Sequence, residues 1–194
     1  MTKARRRGLE LEQAILDSTW KLLKEVGYEQ LTMDRIAENA QTTKNVLYRR
    51  WDGKAEIVVA TIQRHTPKFH FTVPNTGQLN DDLLTFFILI IKKLEEIGLD
   101  VIRGLLLDKL PKISLMDFLN KINSENKLFS VLEEIFNNAD ERGEINKSKL
   151  TKNMKNFAVI LIVNAVLSGD FNEEVATQMI NNIFMPVYRH TLVM

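Results

Sequence analysis

The sequence predicts an all-α protein in which a short N-terminal three-helix unit precedes a C-terminal helical bundle. Glycine and proline, which interrupt helices, occur only 8 and 4 times in 194 residues, and this scarcity favours long helices over a turn-rich β structure. Apolar residues recur at the spacing that places them on one face of a helix. Two short helices separated by a tight polar turn are predicted between residues 32 and 51.

The composition excludes several classes of protein. The chain has no cysteine, which rules out a disulfide scaffold, a thiolate zinc finger and a cysteine nucleophile, and agrees with a cytoplasmic location. No apolar stretch reaches the ~18 residues that a membrane span needs. The three histidines lack the spacing of a metal site, and no nucleotide-binding loop or nucleophile motif is present. We therefore expect no enzyme activity, no catalytic residues, no metal, no cofactor and no membrane partner.

Capping residues and breakers set the expected helix boundaries. An amphipathic helix over 9–26 ends at Gly27, which can adopt a positive φ. Thr32 has the position of an N-cap for the first short helix, and Thr43 for the second, which runs over 44–51. Further helices are predicted from residue 54 onward, over 79–97, over 100–110, over 115–139, over 150–167 and over 173–188, with a linker over 66–78.

The two short helices have helix-turn-helix spacing. In such a unit the second short helix enters the DNA major groove and presents its N-terminal residues to the edges of the bases. This role requires small polar and cationic groups on the exposed face and aliphatic groups on the buried face. The exposed set is Thr42, Thr43, Lys44, Asn45 and Tyr48, and the buried set is Ile36, Ala37, Val46 and Leu47.

Positive charge is concentrated in two places, although the net charge is only +1. Residues 44–54 hold four cations against Asp52 alone, and residues 1–7 hold four cations and no acid. Beside a helix-turn-helix, this clustering favours phosphate contacts over a merely solvated surface, and a DNA-binding arm over a solvated tail. The cations are Lys44, Arg49, Arg50 and Lys54 in the first cluster, and Lys3, Arg5, Arg6 and Arg7 in the second.

The N-terminal pattern resembles the tetracycline-repressor (TetR/AcrR) family of transcriptional regulators. The matching residues are Gly27-Tyr28, Leu31-Thr32-Met33, Ile36-Ala37, Ala40, Thr43-Lys44, Leu47-Tyr48, Trp51 and Lys54. The resemblance implies that Thr32 caps its helix and touches a phosphate, and that Lys54 holds another phosphate at a helix N-terminus. It implies base or backbone contacts for Thr43, Lys44, Asn45 and Tyr48. It also implies a basic arm formed by Arg5, Arg6 and Arg7.

The turn between the short helices departs from the pattern of the family. The family usually has glycine where this chain has Gln41, and an aliphatic residue where it has Thr42. If position 41 requires a positive φ, glutamine costs about 1 kcal/mol relative to glycine. The departures support a rival hypothesis, a helical small-molecule-binding protein whose DNA-binding module is weak or vestigial.

Phenylalanine is frequent in the middle helices and has two possible roles. Each of these side chains can belong to ordinary core packing, or the set can line an apolar cavity between helices. The family resemblance implies such a cavity, which would bind a small apolar or amphipathic effector. The candidate lining residues are Phe86, Phe87, Leu106, Phe118, Phe129, Phe157 and Leu161.

The last two long helices carry more apolar surface than one buried face requires. They are either central helices of a monomer or, as we favour, half of a four-helix interface between two copies. A dimer would supply the two recognition helices that a palindromic operator needs. The candidate interface residues are Val159, Ile162, Val163, Val166, Met179, Ile180, Ile183, Phe184 and Val187.

Together these observations predict a ligand-responsive regulator that binds double-stranded DNA as a homodimer. We expect it to act as a repressor that its effector releases from DNA. Residues 1–54 would form the DNA-binding domain, and residues 55–194 the ligand-binding and dimerisation domain.

Overall fold

A computed structural model describes residues 8–66, 72–112, 114, 117 and 127–192. Every regular element within these residues is helical, so the predicted all-α class is confirmed. Among the candidate site residues, Arg5, Arg6, Arg7 and Phe118 lie outside the described residues. The α-helices are α1 (Gly8–Gln30), α2 (Met33–Asn39), α3 (Lys44–Tyr48), α4 (Lys54–His65), α5 (Leu79–Ile97), α6 (Leu99–Lys109), α7 (Lys127–Glu141), α8 (Lys152–Ser168), α9 (Glu173–Met179) and α10 (Met185–Arg189).

The chain divides into two compact units. The N-terminal unit contains residues 1–68 and 100–118, and the C-terminal unit contains residues 69–99 and 119–194. This division differs from the predicted boundary after Lys54, because α4 and nearly all of α6 pack with the helix-turn-helix. The apolar face of α4 is buried, and Arg64 Nε on α4 donates a hydrogen bond to Asp17 Oδ1 on α1 at 2.7 Å.

The N-terminal unit is built around α1, which the sequence predicts to end at Gly27. Gly27 has φ +72° and interrupts the helical geometry, and the next three residues add a short turn. The apolar face of α1 packs on α2 and α4, and this arrangement fixes the base on which α3 rests. The fully buried side chains of this core include Ile15, Leu23, Ile36, Leu47 and Ile57.

Aromatic side chains form the centre of the C-terminal unit. The Phe87 ring lies 5.5 Å from that of Phe184, and the Phe184 ring stacks on Tyr188 at 5.9 Å. Burial raises the pKa of Tyr188 far above its ordinary value, and its hydroxyl donates to the carbonyl oxygen of Met154 at 3.2 Å. These contacts join α5, α8 and the last helical segment, residues 173–189, into one core.

The last helical segment contains a π turn that the sequence prediction of a single helix over 173–188 missed. The turn spans Ile180–Phe184, between α9 and α10. Pro186 follows it and has no N–H to donate, and its ring would clash with the carbonyl four residues earlier in a regular α-helix. The wider turn accommodates this proline without ending the helical path.

Glu133 on α7 connects three elements and makes stability depend on pH. Its carboxylate lies 2.7 Å from Lys147 Nζ and accepts from Lys155 Nζ at 3.1 Å. The hydrogen bond from Lys147 is the main reason why its pKa is lowered from the ordinary 4.5. Because the pKa of Glu133 is lower in the folded state, these ion pairs stabilise the folded protein above about pH 4.5. The stabilisation is lost as the pH falls through the folded-state pKa.

We expect Glu133→Gln to lower the free energy of unfolding by about 1 kcal/mol or less at neutral pH, since the pair is partly exposed. The difference from wild type should shrink towards zero in acid, where Glu133 is protonated in both folded and unfolded protein. Urea unfolding at a series of pH values measures it, with Glu134→Gln as the matched control on α7. A difference that persists in acid would contradict the assignment.

Candidate nucleic-acid interface

The turn between α2 and α3 is complete despite its unusual sequence. Gln41 has φ +53°, the only positive φ of a non-glycine residue in the described part of the chain. Its N–H donates to Glu38 O at 3.0 Å, and the N–H of Thr42 donates to Ala37 O at 2.9 Å. These two bonds form a Schellman motif, in which the position of Gln41 is normally occupied by glycine. The departure at Gln41 therefore places strain in the turn without preventing its formation.

We expect Gln41→Gly to stabilise the protein by about 1 kcal/mol, because glycine adopts this backbone conformation without steric cost. Urea unfolding followed by circular dichroism measures the change. The matched control is Gly143→Gln, since Gly143 has φ +73° and the same pair of hydrogen bonds after α7. That substitution should destabilise by a similar amount, and a destabilising Gln41→Gly would contradict the explanation.

Five of the predicted DNA-contact residues are exposed on α3 or directly beside it. Leu47 is fully buried and anchors the helix on the core. The side chains of Thr43, Lys44, Asn45 and Arg49 are exposed, and Tyr48 is 49% exposed. Thr42 is half-buried at the end of the turn. A helix with one buried anchor and a polar N-terminal face can enter a DNA groove without losing its own packing.

The two predicted threonine caps differ. Thr32 is exposed, and its hydroxyl accepts a hydrogen bond from the Arg35 N–H at 3.2 Å, which confirms the cap of α2. Thr43 occupies the N-cap position of α3, but its side chain makes no capping hydrogen bond. The predicted N-cap position of Thr43 is confirmed, and its backbone carbonyl accepts the hydrogen bonds of the first turn of α3. Its hydroxyl is left for another partner.

Three of the four cations in residues 44–54 already have partners. Lys44 Nζ lies 2.9 Å from Asp34 Oδ2, and this hydrogen bond is the main reason why the pKa of Lys44 is raised. Arg50 donates to Val46 O at 3.2 Å. In the described part of the chain, the guanidinium of Arg49 has no hydrogen-bond or ionic partner, so Arg49 is the cation most available to a phosphate.

Lys54 is partly buried and joins α4 to the end of α1. Its ammonium donates to Tyr28 O at 3.0 Å and lies 4.1 Å from the centroid of the Tyr28 ring. A lysine ammonium has three N–H donors, and the predicted phosphate contact would use another of them. The sequence indicated a basic residue here, but could not show that its ammonium also holds the Tyr28 carbonyl.

Tyr28 connects the helix-turn-helix to α6 within the N-terminal unit. Its hydroxyl donates to Asp108 Oδ2 at 2.8 Å, and its ring lies against Gly104, where a Cβ atom would come within 2.3 Å of Tyr28 Cδ1. Burial, followed by the hydrogen bond to Asp108, raises the pKa of Tyr28 far above its ordinary value. The phenol therefore remains a protonated donor, and α6 is attached to the DNA-binding helices through it.

The candidate pocket residues differ in burial and belong to both units. Phe86 and Phe87 are fully buried in the aromatic core of the C-terminal unit. Phe129, Phe157 and Leu161 are half-buried in the same unit. Leu106 is buried in the N-terminal unit, on α6.

The candidate dimer residues fall into two groups. Half-buried side chains, available to a second copy, belong to Val163, Met179, Ile183 and Val187. The other group is buried within the subunit's own core and consists of Val159, Ile162, Val166, Ile180 and Phe184. The sequence showed which residues of α8 and the last helical segment are apolar, but not which side each faces. Ile160 on α8, which sequence analysis did not select, is 51% exposed.

The described residues offer neither a metal site nor a membrane span. Among them, no three histidine, aspartate or glutamate side chains come together in a way that could hold a metal ion. None of their helices combines the length and apolar character needed to cross a membrane.

Comparison with known proteins identifies related sequences. Residues 15–61 match the family described as bacterial regulatory proteins, tetR family. An HTH-type transcriptional regulator of Mycobacterium tuberculosis is 33% identical over 140 residues, which cover 72% of this chain and 68% of the relative. The DNA-binding transcriptional repressor TetR of Mycobacteroides abscessus is 36% identical over 78 residues, which cover 40% of this chain and 41% of the repressor.

Solved structures with the same fold include two regulators called FadR. The Bacillus subtilis protein, solved in complex with stearoyl-CoA, has a TM-score of 0.58 and 17% identity, covering 91% of this chain and 97% of that chain. The Bacillus halodurans fatty acid degradation regulator has a TM-score of 0.57 and 15% identity, covering 93% and 97%. The fold, the helix-turn-helix and the identity across two thirds of a relative agree: this chain belongs to the TetR family of bacterial regulatory proteins and is a helix-turn-helix transcriptional regulator.

Proposed function

We propose that the protein is a cytoplasmic repressor that binds a palindromic operator as a homodimer and is released by a small apolar or amphipathic effector. The observation that carries the DNA-binding part is the polar, exposed N-terminal face of α3 above the buried anchor Leu47. The complete turn at Gln41 supports a working helix-turn-helix and speaks against a vestigial one.

We divide the contacts on α3 by their chemistry. Thr43 and Asn45 are short, exposed hydrogen-bonding groups near the helix N-terminus, which suits them to base edges. Tyr48, the last residue of α3, and Arg49, which follows it, are exposed and suit phosphates, which fix position without reading sequence. Thr32, Thr42, Lys44 and Lys54 are further proposed contacts, and the basic arm of Arg5, Arg6 and Arg7 would add charge.

The dimer would be formed by α8 and the last helical segment of each copy. Partly exposed apolar side chains on these elements, Val163, Met179, Ile183 and Val187, would meet their counterparts across a two-fold axis, together with Ile160. Such an interface presents the same surface from both copies, so one apolar patch serves twice. The two recognition helices would then occupy successive major grooves about one helical turn apart.

The effector would bind the C-terminal unit, whose half-buried Phe129, Phe157 and Leu161 offer apolar contacts. The FadR protein solved with stearoyl-CoA shares the fold and is consistent with an amphipathic ligand. The chain passes from the C-terminal to the N-terminal unit at the start of α6, and α6 holds Tyr28. An effector that binds the C-terminal unit more tightly in one DNA-binding state than in the other would shift the equilibrium between those states.

Fluorescence anisotropy across a salt series tests the proposal. The purified protein is titrated into duplex DNA from just upstream of its own gene, with a random-sequence duplex as control. We expect tighter, salt-sensitive binding to the upstream duplex. Folded protein that binds neither duplex would contradict the regulator and favour a small-molecule carrier.

The contact classes predict different mutant behaviour. We expect Asn45→Ala to weaken binding by about 1–3 kcal/mol and to relax sequence preference at one or two base positions. Arg49→Ala should weaken binding to all duplexes alike. The slope of log affinity against log salt concentration should become shallower by about 0.9 for each phosphate that is no longer neutralised. Anisotropy with single-base variants of the bound duplex separates these effects. Uniform weakening by both substitutions would contradict the assignment of α3 as the recognition helix.

A further inference from the structure

An acidic side chain lies on the surface that this function requires to face DNA. Asp34, in the first turn of α2, and Lys44, the first residue of α3, form an ion pair across the turn with 2.9 Å between Nζ and Oδ2. Their side chains are 73% and 45% exposed. A carboxylate at this place repels phosphates, so Asp34 cannot serve to attract DNA and must have another role.

Stability gives only part of that explanation. The negative charge of Asp34 interacts favourably with the positive N-terminal end of the α2 dipole. Thr32 already supplies a hydrogen bond that caps the helix. The ion pair itself is exposed, and exposed pairs contribute little to folding. Its larger effect is on the charge that α3 presents, because Asp34 neutralises Lys44, the first residue of this helix.

We propose that Asp34 is a specificity-determining residue that holds Lys44 and suppresses sequence-independent binding to phosphates. This inference rests on the proposed DNA-binding function of α3. A paired Lys44 contributes little to the attraction that any duplex exerts, since that attraction depends on uncompensated cations. Asp34 also holds the ammonium at the N-terminus of α3, where recognition helices meet the edges of the bases.

The ion pair therefore gives Lys44 different roles on random DNA and on the operator. On random DNA the ammonium stays with Asp34, and the sequence-independent part of the affinity is reduced. On the operator, Lys44 is already positioned to donate to a base or phosphate at its correct site. Specificity is the difference between these affinities, so a residue that lowers the first without lowering the second increases it.

The test compares wild type with Asp34→Asn, which keeps the shape of the side chain and removes its charge. Anisotropy with a random-sequence duplex should show about fivefold tighter binding per subunit. The slope of log affinity against log salt concentration should be steeper by about 0.9 per recognition helix. Affinity for the upstream duplex should rise less, so that the ratio of the two affinities falls.

Two further variants show whether the effect acts through Lys44. Glu38→Gln removes another exposed acid from α2, one that forms no ion pair with α3 among the described residues. This variant should leave the ratio of the two affinities nearly unchanged. In a Lys44→Gln background, Asp34→Asn should strengthen binding to the random duplex much less, because only the direct repulsion between Asp34 and the phosphates is then removed. An increase as large as in wild type would overturn the proposal, since it would show only a general effect of charge.

Other results distinguish a failure of the role proposed for Asp34 from a failure of the proposed DNA-binding function. If Asp34→Asn binds the random duplex as wild type does but loses the upstream duplex, Asp34 contacts a base directly and the proposal is overturned. If wild type binds with sequence preference and Asp34→Asn changes nothing, only this inference fails. If folded wild type binds no duplex, the proposed function fails first.

Discussion

Gly104→Ala should destabilise the N-terminal unit by about 2 kcal/mol, although alanine is the better helix former. Gly104 lies in the middle of α6, and an added Cβ would come within 2.3 Å of Tyr28 Cδ1 and 2.7 Å of Tyr28 Cγ. These atoms are close to the Tyr28 backbone and cannot turn aside. Either α6 or the ring must move, and movement weakens the hydrogen bond from Tyr28 to Asp108.

The energetic terms decide the sign of this change. The substitution gains about 1 kcal/mol of helix propensity. Overpacking a rigid contact costs about 1–3 kcal/mol, and a hydrogen bond to a charged acceptor is worth about 1.5–3 kcal/mol. The two unfavourable terms together exceed the gain, so a net loss is expected.

Tryptophan fluorescence during urea unfolding measures this loss in the right unit, because Trp20 and Trp51 both belong to the N-terminal unit. Gly53→Ala is the matched control, since Gly53 has extended backbone and an added Cβ would meet only a Glu56 oxygen at 3.5 Å. In a Tyr28→Phe background Gly104→Ala should cost less, because the hydrogen bond is already absent. An increase in stability would contradict the close contact.

The sequence predicted the helices well where the signals are local. The limits of α5, Leu79–Ile97, agree with the prediction, and α2 begins directly after the predicted cap Thr32. Helix periodicity, capping residues and breakers depend on neighbours within a few positions, so one sequence contains them. The positive φ of Gln41 was also foreseeable, because the family pattern places glycine there.

The sequence did not predict contacts between residues far apart in the chain. Lys54 looked like a free phosphate ligand, yet its ammonium also holds Tyr28, which is 26 positions away. Glycine inside a predicted helix was the available signal for close packing at Gly104, but nothing local identifies Tyr28 as its neighbour. The apolar residues of α8 could likewise be recognised, whereas their division between core and surface required the fold.

Lys109→Met should destabilise the protein by about 3 kcal/mol. Lys109, in the last turn of α6, is 8% exposed and forms an ion pair with Glu56 in the first turn of α4. Each charge also has the sign that its own helix terminus favours. Methionine has a similar length and fills the same space, so the loss comes from the charge that it removes beside a partly buried carboxylate.

Lys112→Met is the matched control, because the Lys112 side chain is 68% exposed and lies 3.5 Å from Asp108. An exposed pair of this kind is worth about 0–1 kcal/mol, so the two substitutions should differ by about 2 kcal/mol or more. The effects of Lys109→Met and Glu56→Met should not add in the double variant, since each substitution alone already removes the same ion pair. Equal effects at the two lysines, measured by tryptophan fluorescence in urea, would show that the Lys109 pair is solvated. In that case the attachment of α6 to the DNA-binding helices would depend on Tyr28 and its contacts at Gly104 and Asp108.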